Sequence, residues 1–94
     1  MPREPGALEG CGHEGLARLP ELLAGALGVK VRVRRGRLRG EFNLSIDRGG
    51  SHIAALKVFC GWGPYRGWVE VFDIDPSAFL EVEGELYKTI AGAL

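Results

Sequence analysis

From Val29 to Asp47, apolar and polar residues alternate closely enough to predict a β-hairpin. Val29, Val31, Val33, Leu38, Phe42, Leu44 and Ile46 share one parity around a two-residue turn at Arg35-Gly36. Lys30, Arg32, Arg34, Arg37, Arg39, Asn43 and Ser45 share the other. Side chains alternate across a strand, so the first set faces a core and the second an outer surface. This turn sets Val33 opposite Leu38, Val31 opposite Gly40 and Val29 opposite Phe42. It also sets Arg34 against Arg37, Arg32 against Arg39 and Lys30 against Glu41. Like charges directly opposite each other destabilise a strand pair, so the pairing requires an offset from solvent, an acidic partner or carboxylates elsewhere in the fold.

Two more strands follow. Arg48-Gly49-Gly50 suits a three-residue hairpin loop with a glycine at positive φ. That register sends His52, Ala54, Leu56, Val58 and Cys60 inward and Ile53, Ala55, Lys57 and Phe59 outward. In the fourth strand, Trp68 to Ile74, burying Val69 and Val71 leaves Trp68, Glu70, Phe72 and Ile74 outside. The opposite register buries Glu70, which is costly.

Helical spacing brackets these strands. Leu16, Leu19, Leu23 and Leu27 form one stripe, widened by Leu22 and Ala26, and Gly28 suits a left-handed stop. Pro20 either kinks this helix or marks its start. Asp75-Pro76 is a capped helix start, followed by the stripe Phe79, Val82, Leu86, Ile90 and Leu94. Gly84 costs that helix about 1 kcal/mol relative to Ala and suggests a close contact. Residues 1–14, with two Pro, three Gly and little periodicity, read as a flexible arm. The expectation is a single α+β domain over 15–94. It is a four-stranded antiparallel meander with an N-terminal and a C-terminal helix (αββββα), both helices on one sheet face.

Ninety-four residues suffice for one such core. The formal charge is zero but unevenly spread: minus two over residues 1–29, plus seven over 30–66 and minus five over 67–94. That balance argues against a strongly basic nucleic-acid binder, while the middle third predicts a cationic patch. Nine Arg against three Lys, one Asn and no Gln suits a GC-rich genome or a thermophile. The opening residues carry no signal-like segment, and no apolar run approaches the roughly 20 residues of a membrane helix. A soluble, cytoplasmic protein is expected.

The candidate chemistry is sparse. Two cysteines make no disulfide framework. Cys11, His13, His52 and Cys60 have the ligand count for zinc but no recognised spacing, and the inward Cys60 reads as a small core residue. A Cys60–His52 dyad fails because eight residues of one strand span roughly 26 Å. Among the acids, Asp75 is a cap, and Glu81, Glu83 and Glu85 read as a helix surface. No enzyme, metal or cofactor is therefore expected. The Gly-rich tip with Trp62, Tyr65 and Arg66 is either a stacking surface or a cover folded over the core. It lacks the glycine spacing of a phosphate cradle.

Two functions fit this pattern. The first is a non-catalytic protein-interaction module, expected as a homodimer, that associates through an outer apolar patch of Phe59, Trp68, Phe72 and Ile74. The alternative is single-stranded nucleic-acid (RNA) binding. There Lys30, Arg32, Arg34, Arg37, Arg39 and Arg66 hold phosphates while Trp62, Tyr65 and Trp68 stack bases.

Overall fold

The computed structural model describes residues 8–61 and 67–94. The elements in chain order are α1 (Glu14–Ala17), α2 (Leu19–Leu27), β1 (Lys30–Arg35), β2 (Glu41–Arg48), β3 (Ser51–Cys60), β4 (Gly67–Phe72) and α3 (Pro76–Ala93). The strands form one open antiparallel sheet in the order β1-β2-β3-β4. The predicted α+β meander is thus the architecture, with its N-terminal helix in two pieces. Pro20 explains the break. It has no N–H to give the Leu16 carbonyl and instead occupies the first turn of α2, where none is needed. Gly28, at φ 63°, closes α2 with its N–H on the Ala24 carbonyl.

A single apolar cluster joins the layers. It contains Leu16, Leu19, Leu23 and Leu27 from α1 and α2, and Phe79, Val82, Leu86 and Ile90 from α3. Val31, Phe42, Leu44, Ile46, Ala54, Leu56 and Val58 enter it from the sheet, and Val69 and Val71 pack against it. Ala93 takes the last place in the α3 stripe, and Leu94, expected there, is exposed.

The first hairpin differs from the expected register. Phe42 faces Arg35 rather than Val29, Leu44 faces Val33 and Ile46 faces Val31. The loop is not a two-residue turn but the stretch 36–40, closed by the Gly36 N–H on the Glu41 carbonyl at 2.7 Å. The shift is an even number of residues, so the residues that remain paired keep their faces. It also removes the Arg–Arg pairs, since Arg32 now faces Ser45 and Arg34 faces Asn43. Val33 and Leu38 are exposed, not core.

The second loop holds two residues, Gly49 and Gly50, both at positive φ, which suits a tight hairpin turn. Asp47 pairs with His52, but Ile46 pairs with Ala54, leaving Ile53 as an extra residue. This bulge turns His52 to the outer side beside Asp47 and buries Ile53, reversing both expectations.

The N-terminal segment is fastened from Leu8 onward. Leu8 is 3% exposed within the core and donates its N–H to the Ala17 carbonyl. Cys11 forms a disulfide with Cys60, Cα to Cα 5.2 Å. Residues 8–14 therefore do not form the loose arm expected over 1–14, and residues 1–7 lie outside the described residues. Among the described residues, no helix is long and apolar enough to cross a membrane.

Candidate binding face of the sheet

On the polar side of the sheet, the registers align residues into rows across all four strands. One row runs Arg34, Asn43, Lys57, Glu70 and the next Arg32, Ser45, Ala55, Phe72. Beyond the first lie Glu41, Phe59 and Trp68. The two middle strands contribute the small Ser45 and Ala55 between larger flanks, which opens a hollow of ≈ 870 Å³ over the sheet. The 36–40 loop borders it through Arg37 and Leu38. Its size lies within the roughly 300–1,000 Å³ of small-ligand sites.

The predicted cations divide. Arg34 and Arg37 line the hollow together with Lys57, and among the described residues none of the three has a carboxylate partner within ion-pair distance. Arg32 turns instead to Asp47, its Nη2 2.8 Å and Nε 3.2 Å from one carboxylate oxygen. Lys30 faces Asp47 across the strands, and Arg39 lies in the loop, outside the hollow's lining. Arg35 stands over the Phe42 ring, 5.7 Å from its centroid. Lys57 was not among the predicted phosphate contacts, although its outward parity on β3 was readable.

The aromatic residues divide as well. Phe59 is 8% exposed and packs under Trp68, ring centroids 4.7 Å apart. It is therefore unavailable as the centre of an apolar patch. Trp68 is half-buried and donates its indole N–H to Glu70 at 3.0 Å. Phe72 is 42% and Ile74 40% exposed, though Ile74 lies beyond the end of β4. Lys57 Nζ lies 5.8 Å from the Phe72 ring centroid, a cation–π distance. Trp62, Tyr65 and Arg66 lie outside the described residues.

One end of this face carries a charge cluster. His52 donates from Nε2 to the Asp73 carbonyl oxygen at 2.8 Å, while its Nδ1 is 3.4 Å from Asp47 Oδ1. Asp73 holds φ at 49°, a left-handed conformation that Asp tolerates better than most residues. The hydrogen bond to the Asp73 backbone, reinforced by Asp47 and the Asp73 carboxylate, raises the His52 pKa above its ordinary 6.5 despite partial desolvation. The Arg32 hydrogen bond, against desolvation, lowers that of Asp47, with His52 assisting. Among the described residues no group of His, Cys, Asp and Glu is placed to hold a metal ion. Both cysteines of the zinc constellation are consumed by the disulfide.

Residues 26–94 match the family described as "Protein of unknown function (DUF1122)". The chain belongs to that family. No curated protein and no solved structure matches it. The DUF1122 match spans the whole sheet and α3, so every residue of the hollow lies within it. Cys11 precedes it, and the disulfide ties that residue to the matched segment.

Proposed function

We propose that the protein is a non-catalytic binding module whose outer sheet face takes single-stranded nucleic acid. One observation carries this reading: Arg34, Arg37 and Lys57 line one hollow, shared with Glu41 and Asp73, and among the described residues none of the three cations lies within ion-pair distance of a carboxylate. Guanidinium and ammonium groups left unpaired around a concave polar surface suit phosphate oxygens. An exposed aromatic beside them suits a base. The burial of Phe59 weighs against the homodimer expected through this face. The cytoplasmic location belongs to this proposal and requires a cytosol that tolerates disulfides, as those of hyperthermophiles do.

Self-association has one observation in its favour, the exposed Phe72 and Ile74 at the edge of β4 that pairs with no other strand among the described residues. Titration of labelled single-stranded RNA and DNA at two salt concentrations tests the leading reading. Binding is expected to weaken with salt by a slope of about −0.7 per phosphate contact. Arg34→Ala and Arg37→Ala should each weaken it and flatten that slope. Absence of binding at low salt, or indifference to both substitutions, overturns it.

A further inference from the structure

Phe72 occupies an unusual place for a large apolar side chain. It stands at the β4 end of the row that runs through Ala55 and Ser45, and it walls the hollow while 42% of its surface stays exposed. The core needs nothing from it, because Val69 and Val71 supply the inward contacts of β4. Lys57 lies 5.8 Å from its ring centroid, so a cation accompanies the aromatic face. Strands about 4.8 Å apart, with an offset of two residues along them, put Phe72 on β4 and Arg34 on β1 about 16 Å from one another at the backbone. Both side chains project over the floor between them, leaving a span on the scale of a dinucleotide.

We propose that Phe72 is the base-stacking platform of a nucleotide subsite. Lys57 and Asn43 flank the attached sugar-phosphate, and Arg34 and Arg37 hold the next phosphate of the strand. This rests on the nucleic-acid reading above and assigns a residue that the charge pattern alone did not. The alternation of a stacking face with cations distinguishes a nucleotide from a bare anion, which would have no use for the ring. The small Ser45 and Ala55 leave the depth a base requires beside it.

The test uses a uridine-rich RNA 12-mer carrying one 2-aminopurine, titrated against wild type, Phe72→Ala, Phe72→Tyr and Arg34→Ala at two salt concentrations. Light scattering and a melting curve are recorded for each protein. Phe72→Ala is expected to weaken binding by about 5- to 150-fold, to leave the salt slope unchanged and to abolish 2-aminopurine quenching. Phe72→Tyr, which keeps the ring, should restore both affinity and quenching. Arg34→Ala should instead lower the slope and keep the quenching. If wild type and Phe72→Ala bind and quench alike, the subsite falls and polyanion binding stands. If wild type binds no strand at low salt, both readings fall together. A wild-type dimer that becomes a monomer in Phe72→Ala assigns the ring to a second copy and overturns the subsite.

Discussion

At the scale of single residues, His52 is a side chain whose ionisation the fold shifts. Its Nε2 proton is committed to the Asp73 carbonyl, so a second proton goes to Nδ1, directly before Asp47. Folding therefore favours the protonated ring, and its pKa lies above 6.5. A group with a raised folded pKa stabilises fully below its unfolded value and loses that contribution as pH rises through the folded one. Melting temperature should thus fall from about pH 6 upward through the raised pKa, and His52→Gln should remove that component. The same decline in the variant assigns the effect to another group. Asp47 works in the opposite sense: with its pKa depressed, its contribution is present above 3.8 and lost as pH falls further. Asp47→Asn should weaken the acid limb of the same profile. None of this was readable from the chain, which placed His52 inward with the core residues. A bulge adds one residue to one strand and changes no periodicity in the residues that follow, and Ala54 to Cys60 kept their expected faces.

At the scale of elements, the ends and faces were legible and the pairing was not. Asp75 caps α3 as its sequence suggests, its carboxylate accepting from the Ser77 and Ala78 N–H groups at 3.1 and 3.3 Å. Asp75→Ala should cost about 1 kcal/mol in denaturant unfolding, and no change would show that the cap is dispensable. Gly84 resolves against its expected role. A Cβ built there meets nothing within 4 Å, so no neighbour requires the glycine, and Gly84→Ala should stabilise by about 0.5–1 kcal/mol. Gly15 is the reverse case: its Cβ would fall against the Ala93 carbonyl, which lets α1 approach the end of α3 closely. Gly15→Ala should therefore destabilise, and equal stabilities for the two variants would contradict this packing. The β1–β2 register was misread because Arg35-Gly36 looks like a tight turn, while the chain spends five residues on the loop. A warning was present nevertheless. The tight turn set Arg against Arg twice, and the observed register replaces those pairs with Arg–Ser and Arg–Asn.

At the scale of the whole molecule, the acidic C-terminal third meets the basic middle third on the outer sheet face, where Glu70 shares a row with Arg34 and Lys57 and Asp73 reaches His52. The acidic C-terminal third does not neutralise Arg34, Arg37 and Lys57 among the described residues, so part of the basic middle third reaches the outer face unpaired. The hidden global feature is covalent. Cysteines separated by 49 residues, one in a Gly-rich segment and one ending a strand, have no spacing that marks them as partners. Leu8, isolated among Pro, Gly and charged residues, gives no periodicity to reveal its burial. Together they clamp the N-terminal segment to the far end of β3, beside Gly67. A Cβ at Gly67 would press within 2.7 Å of Leu16 and of the Phe59 carbonyl. Closing a loop of this length removes unfolded-state entropy worth about 4 kcal/mol in the chain-entropy account, with 2–4 typical of measured disulfides. In a domain of this size such a loss should lower the melting temperature by at least about 10 °C. A dithiol reductant and the Cys11→Ser/Cys60→Ser double variant should produce the same drop, and the reductant should do nothing further to the variant. The helical and strand signal of the reduced protein should persist below the new transition, because the core from Leu16 to Ile90 does not pass through the sulfurs. Alkylation of unreduced, denatured wild type supplies the independent check: no free thiols are expected, and two labelled cysteines with an unchanged melting temperature would remove the clamp from the fold.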